Sequence, residues 1–140
     1  MNISTEYIQT NNIIFQKENI IKTIANDFKG NYLNLKRLLY DKFKISAYTD
    51  KDILENFSLD WSNIPGFCDI LVKPKDIIEC AIVMKVCYYA KIPITISAGK
   101  TNLTGSATPM GGLVLSTTLL TKPSIKIDLK KKEVFLLCSM

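Results

Sequence analysis

The chain has 140 residues, of which 47% are hydrophobic and 22% charged, and its formal net charge at pH 7 is +5. This length allows one compact domain with a sizeable core, and the composition excludes a disordered chain. Because the lysines are dispersed along the sequence, we expect no nucleic-acid partner.

The sequence contains no histidine, and its four cysteines lack Cys-x-x-Cys spacing. The lack of histidine excludes histidine-dependent nucleophiles, histidine metal ligands and a histidyl link to a cofactor. We therefore predict no metal site and no catalytic residue, and we interpret the cysteines as reduced thiols. No apolar run approaches the roughly 20 residues that a membrane span needs. We expect a cytoplasmic protein without a membrane span. The cysteines are Cys68, Cys80, Cys87 and Cys138.

Residues 1–49 are predicted to form a helical N-terminal extension. The first 16 residues are polar and uneven, which indicates a loosely held tail. Apolar residues then recur at helical spacing from Glu18 to Phe28, and again from Leu33 to Phe43. This spacing predicts two helices.

The pattern changes after residue 49. Residues 50–66 are rich in turn formers, and residues 69–72 are a short apolar run that ends before Pro74. A long apolar helical pattern runs from Ile77 to Ala90 after the capping residue Asp76, and residues 92–97 form a second strand-like run. This order predicts two parallel strands joined by a crossover helix.

The rest of the sequence predicts a long loop followed by short strands. A third strand is expected at residues 113–115, and the runs "IKIDL" and "EVFLL" flank a lysine-rich turn at residues 130–132, as paired strands do. The predicted fold class is therefore α+β, with a βαβ start followed by short strands.

The loop after the second strand begins "SAGKT", which ends like a nucleoside triphosphate-binding loop. That motif requires a glycine at position 94, which is Ile94, and a helix directly after Thr101. Gly105, Pro109 and Gly111 prevent such a helix. The triphosphate interpretation is therefore excluded.

Two interpretations of this loop remain. Its small residues let a ligand approach the main chain, and consecutive N–H groups in tight conformations form a concavity that suits a pyrophosphate. An ordinary turn-rich connection has the same composition. The residues of the loop alone leave both open.

A longer run carries a family resemblance. The stretch "DILVKPKDIIECAIVMKVCYYAKIPITISAGKTNLTGSATPMGGLVLSTTLL" resembles the FAD-binding domain of FAD-linked oxidases of the p-cresol methylhydroxylase type. The resemblance is greatest to the glycolate oxidase subunit and D-lactate dehydrogenase branch. The family pattern is strand, proline, helix, "G(I/V)P(I/V)", then "R-G-x-G-T-x-L-(S/T)-G-G-x-x-P" and "G-(G/I)-(I/V)-V-L". Order, spacing and residue type agree over residues 50–135.

The resemblance implies that residues 50–140 are a partial FAD-binding domain of a flavin-dependent oxidoreductase that acts on a small 2-hydroxy acid. FAD is the implied cofactor. In the family, main-chain N–H groups of the loop bind the FAD pyrophosphate, and a proline lies beside the cofactor. By position, the implied cofactor-binding residues are Pro74, Ser97, Ala98, Gly99, Lys100, Thr101, Asn102, Leu103, Gly105 and Ser106.

The loop departs from the family pattern at several positions. Ala98 and Lys100 stand where glycines are common, and Ser106 replaces the second glycine of a pair. For Lys100 the resemblance implies either a changed backbone, where a positive φ costs roughly 1 kcal/mol, or an amine that reaches a phosphate.

The family pattern continues with the second half of the FAD domain and a substrate domain, whereas this sequence ends at Met140. We therefore expect a truncated domain that is inactive alone, with a downstream chain completing the flavin site. The alternative hypothesis is a non-enzymatic remnant or interaction module that binds no flavin.

Overall fold

The computed structural model describes residues 3–101, 103–120, 126–128 and 130–135. The fold class is α+β, as predicted. No helix in the described part of the chain combines the length and the apolar character needed to cross a membrane. The helices are α1 (Ile3–Phe28), α2 (Tyr32–Phe43), α3 (Lys51–Glu55) and α4 (Ile77–Ala90), and the strands are β1 (Ala47–Tyr48), β2 (Ile70–Val72), β3 (Ile94–Ser97), β4 (Leu113–Ser116), β5 (Lys126–Asp128) and β6 (Glu133–Phe135).

Helix α1 begins much earlier than the sequence pattern indicated. The prediction of a loosely held tail over residues 1–16 is wrong from Ile3 onward, while Met1 and Asn2 lie outside the described residues. Ile14 is buried in the same core cluster as Ile21 and Ile24. Packing of this apolar stripe stabilises a helix whose polar residues alone do not predict one.

Helix α4 has the predicted bounds, and its ends explain why. The side chain of Asp76 accepts a hydrogen bond from the backbone N–H of Glu79 at 2.8 Å, which caps the first turn. At the other end Lys91 adopts a left-handed conformation with φ 54°, and the backbone N–H of Ile92 donates to the Cys87 carbonyl at 2.9 Å. The chain can then turn directly into β3.

The main sheet has the order β1-β2-β4-β3, with β1 antiparallel to β2 and the other three strands parallel. The βαβ unit is therefore confirmed, but β4 lies between its two strands. One face of the sheet packs against α1, α2 and α4, and the other is covered by the chain around α3. The first face buries Ile70, Val72, Leu113 and Leu115, and the second buries Leu71 and Val114 beneath Tyr48, Ile53, Leu54 and Phe57.

Strands β5 and β6 form a separate antiparallel pair around the lysine turn, as predicted. Residues Lys126 and Phe135 are partners in its register. The predicted strand residues 125, 129, 136 and 137 lie outside the described residues.

The insertion of β4 depends on a close approach at Gly112. Its backbone N–H donates to the Asp69 carboxylate at 2.7 Å, and the next residue, Leu113, donates its backbone N–H to the Pro93 carbonyl at 2.9 Å. A Cβ at Gly112 would lie 2.3 Å from the Pro93 oxygen, and the φ of Gly112 is 77°. Both constraints exclude a side chain at this position.

Helix α1 is joined to α4 by polar contacts of Glu18. Its carboxylate accepts a hydrogen bond from Lys85 Nζ at 2.5 Å and another from the Tyr89 hydroxyl. These hydrogen bonds, first that of Lys85 and then that of Tyr89, hold the pKa of Glu18 below its usual value of 4.5. The Glu18 hydrogen bond also raises the pKa of Tyr89.

Replacement of Gly112 by alanine is expected to destabilise the fold by about 3 kcal/mol, because the new methyl group meets backbone rather than a movable side chain. Gly30→Ala is the matched control. Gly30 has a similar φ of 76° but open space around its Cβ position, so that change should cost about 1 kcal/mol. Urea unfolding measures both. Equal losses would contradict the proposed close approach.

Glu18→Gln is expected to lower the melting temperature at pH 7 by a few degrees. Because the folded-state pKa of Glu18 is depressed below 4.5, its stabilising contribution is present above that pH and is lost as the pH falls through the folded pKa. The difference between wild type and variant should therefore vanish in acid. Glu55→Gln is the control, since the Lys51–Glu55 pair is exposed and 4.0 Å apart and should contribute little at any pH. Thermal melts from pH 3 to 8 test this, and a difference that persists unchanged in acid would refute it.

Candidate functional site

The predicted cofactor-binding residues begin where the parallel strands end. Because β2, β3 and β4 run in the same direction, their carboxyl ends lie at one edge of the sheet, which we call the carboxyl edge. Lys73 and Pro74 follow β2, Ser97 ends β3, and the Thr117 N–H after β4 donates to the Ser97 carbonyl at 2.9 Å. Open parallel sheets bind ligands at this edge.

The loop from residue 98 to residue 112 is irregular, as predicted. Its described residues form bends and turns, and Thr101 starts no helix. Among the described residues, the backbone N–H groups of Ala98, Gly99 and Lys100 donate to no protein acceptor. Asn102 lies outside the described residues. Three consecutive donors are therefore available directly after β3.

Lys100 has a left-handed conformation with φ 55°, which is the first of the two alternatives for this position. Its side chain extends toward the segment that follows α3. The Nζ atom donates to the Asn56 carbonyl at 2.6 Å and lies 4.7 Å from the centroid of the Phe57 ring. This contact fixes the loop to the segment after α3 and offsets part of the backbone strain.

A second attachment comes from Asp60, which sequence reasoning missed. This carboxylate is 5% exposed and accepts hydrogen bonds from the Ala107 N–H at 3.3 Å and from the Ser62 N–H at 2.8 Å. The Ser62 hydroxyl also donates to it. The sequence Asp-Trp-Ser signals the local turn. Nothing in it indicates Ala107, which is 47 residues away.

The predicted residues thus fall into two groups. Pro74, which is buried, and the segment 97–101 lie at the carboxyl edge. Leu103 is exposed, and the turn from Gly105 through Ser106 to Ala107 is held against the Asp60 segment. The Gly105 carbonyl accepts the Thr108 N–H at 3.0 Å, which closes this turn.

Three buried hydroxyl groups lack hydrogen-bond partners among the described residues: those of Ser97, Thr108 and Thr117. A buried unpaired hydroxyl costs about 1–3 kcal/mol. Ser97 is 1% exposed and directly precedes the three available N–H groups. The hydroxyl and those N–H groups are the kinds of donor that bind anionic phosphate oxygens.

The described cysteines are not suited to nucleophilic chemistry. Burial raises the pKa of Cys87 to about 12 and, together with the charge of Asp69, raises that of Cys68 to about 11. Burial also raises the pKa of Cys80. These thiols stay protonated at neutral pH. Cys138 lies outside the described residues, and those that are described contain no group of three potential metal ligands.

A cavity of about 720 Å³ lies away from this loop, between α2 and β1. Tyr40 and Tyr48 form part of its wall, and Lys36 pairs there with Asp50 at 3.7 Å. None of the residues predicted to bind the cofactor lines this cavity, although the ring of Tyr48 in its wall lies 5.9 Å from Lys73 Nζ.

Comparison with known families supplies the cofactor. Residues 68–136 match a family described as an FAD binding domain, and no match is found among curated proteins. The matched segment begins just before β2 and includes α4, β3, the loop of residues 98–112 and β4. It therefore contains the whole carboxyl edge, whereas Phe57 and Asp60 precede it. Residues 68–136 are therefore similar to an FAD binding domain.

Proposed function

We propose that the chain binds FAD with its pyrophosphate group on the loop after β3. The observation that carries the proposal is the run of three available N–H groups beside the unpaired hydroxyl of Ser97. These donors lie within the segment that matches an FAD binding domain. In this proposal the N–H groups of Ala98, Gly99 and Lys100 bind phosphate oxygens, and Pro74 lies beside the cofactor.

The other predicted residues have supporting roles in this proposal. Thr101, Asn102 and Leu103 continue the loop around the phosphates, and Gly105 and Ser106 close its turn. The anchor at Asp60 fixes that turn from outside the matched segment. A loop held at both ends loses less conformational entropy when it binds a ligand.

FAD supplies two-electron redox chemistry when it is bound, and the protein orients it and excludes water. We propose a flavin-dependent oxidoreductase whose substrate is a small 2-hydroxy acid such as glycolate or D-lactate. The resemblance of the loop and its flanking strands to that branch of the family supports this substrate class. The described residues bind and position the cofactor rather than react with substrate.

A single loop can contact only a small part of a dinucleotide. Charge-assisted hydrogen bonds contribute about 1.5–3 kcal/mol each, from which the cost of association is subtracted. We therefore propose that contacts to the flavin and adenine rings come from protein outside this loop, including a downstream chain. Cys68, Cys80 and Cys87 are free thiols, which accords with a reducing compartment, and we propose the cytoplasm.

The alternative proposal is a non-enzymatic interaction module, and exposed apolar residues favour it. Trp61, Phe67 and Met110 are each more than half exposed, and Phe67 pairs with Met110 beside the amino ends of β2 and β4. Such a surface is typical of protein contacts. This module would bind no flavin.

Titration of the chain with FAD separates the two proposals. We expect binding with a Kd near micromolar, because the loop provides only the pyrophosphate contacts. Flavin fluorescence measures the affinity, and riboflavin, which lacks the pyrophosphate, is the control. Absence of saturable FAD binding would exclude the first proposal, and equal affinity for riboflavin would exclude the pyrophosphate role of the loop. Addition of glycolate or D-lactate to the complex together with the proposed downstream chain, with flavin bleaching as the signal, tests the substrate class.

Ser97→Ala is expected to raise the stability of the free protein and to lower its affinity for FAD. Removal of a buried unpaired hydroxyl is expected to stabilise the free protein by up to about 1 kcal/mol. Loss of a phosphate donor should weaken FAD binding about fivefold. Thr108→Val is the control, since it also removes a buried unpaired hydroxyl but lies outside the proposed binding residues. It should change stability without changing affinity. A Ser97 variant with unaltered FAD affinity would remove this residue from the site.

A further inference from the structure

Two lysine side chains converge on one aromatic ring at the carboxyl edge. Lys73 Nζ lies 5.4 Å and Lys100 Nζ 4.7 Å from the centroid of the Phe57 ring. Lys73 also lies 5.9 Å from the centroid of Tyr48. Lys73 follows β2 and Lys100 follows β3, so residues far apart in sequence place two positive charges beside the same ring.

Neither charge is neutralised in the part of the chain that the structure describes. Lys36, Lys51 and Lys85 each have a carboxylate within ion-pairing distance. In the same described residues no carboxylate lies within 4.0 Å of Lys73 or Lys100, although both residues are partly buried. The hydrogen-bond partner of Lys100, the Asn56 carbonyl, is neutral.

Partly buried like charges without a counterion are unfavourable, and an anion placed between them relieves the cost. Contacts with aromatic ring faces hold the two side chains extended but leave their charge in place. The unpaired hydroxyl of Ser97 and the available N–H groups belong to the same edge of the sheet. Each of these features favours an anionic ligand.

We propose that Lys73 and Lys100 form a cationic pair that binds the pyrophosphate diester of the dinucleotide. This inference rests on the proposed function, and it adds Lys73, which the sequence did not indicate, to the binding residues. The N–H groups direct individual oxygens, while the two ammonium groups compensate the negative charge of the ligand. Phe57 is a positioning residue, since it touches the lysines and not the ligand.

The test compares Lys73→Gln, Lys100→Gln and the double variant with wild type. Two probes are used, FAD and inorganic pyrophosphate, from low to high salt. Each single change should weaken binding of either probe about fivefold, and the double change should do more. The dependence of affinity on salt should also become shallower, because fewer charges are screened. A packing role alone would alter melting temperature but not the salt dependence.

Lys75→Gln is the matched control, because Lys75 is exposed, lies two residues from Lys73 and contacts no aromatic ring of the described residues. Its affinity should equal that of wild type. Lys73→Arg and Lys100→Arg should retain most of the binding and keep the test valid if a glutamine variant unfolds. A folded double variant with wild-type affinity and salt dependence would overturn the cationic pair.

The two proposals fail in different ways. If the wild type binds pyrophosphate but not FAD, and the double variant no longer binds pyrophosphate, the cationic pair is supported and the proposal of FAD binding is refuted. If wild type binds FAD and the double variant binds it equally well, FAD binding stands and the pair falls. If wild type binds neither probe, both fall.

Discussion

The position of β4 between β2 and β3 is the constraint on which the rest of the structure depends. A chain that leaves β3 at the carboxyl edge must return to the amino edge before it can add a parallel strand. Here it does so without a helix, through the loop of residues 98–112. The return is possible because residue 112 is a glycine. A Cβ atom at this position would lie only 2.3 Å from the Pro93 carbonyl oxygen. Gly66 has the same relation to the Pro109 oxygen.

This return path determines where a ligand can meet the main chain. A helix after β3 would consume N–H groups beyond its first turn, whereas an irregular loop leaves consecutive donors available at the carboxyl edge. A loop of this length is costly to order. The hydrogen bond from the Ala107 N–H to Asp60 reduces this entropic cost. The hydrogen bond from Lys100 Nζ to the Asn56 carbonyl reduces it further. Both attachments join the loop to residues that precede the matched FAD-binding segment, so the N-terminal part of the chain helps to shape the site.

Local signals in the sequence predicted α4, β3, β4 and the irregular loop, because each is specified by neighbours in the chain. Asp76 caps α4, and Gly105 and Pro109 prevent a helix in the loop. The sequence did not predict β1, which has only two residues and exists through pairing with β2. It also missed the start of α1, whose stability comes from packing against α4 rather than from local propensity.

The candidate site, like the fold, was predictable only where neighbouring residues in the sequence specify it. The family pattern indicated Ser97 to Leu103, Gly105 and Ser106 as candidate binding residues, but it left open whether Lys100 has a positive φ, which the structure gives as 55°. The contacts of Lys73, Phe57 and Asp60 arise only when β2, the segment after α3 and the loop come together. Long-range contacts of this kind leave no periodicity in the sequence.

Lys100 illustrates how a residue that is unfavourable for the backbone can be favourable for the fold. A left-handed lysine costs roughly 1 kcal/mol relative to glycine. Glycine, however, leaves the unfolded chain more flexible and makes no side-chain contact. The hydrogen bond to Asn56 and the contact with the Phe57 ring offset part of the strain, and they attach the loop to the segment after α3. A glycine loop must be ordered by its ligand, whereas this loop is ordered by its own lysine before any ligand arrives, so more of the interaction energy remains for binding.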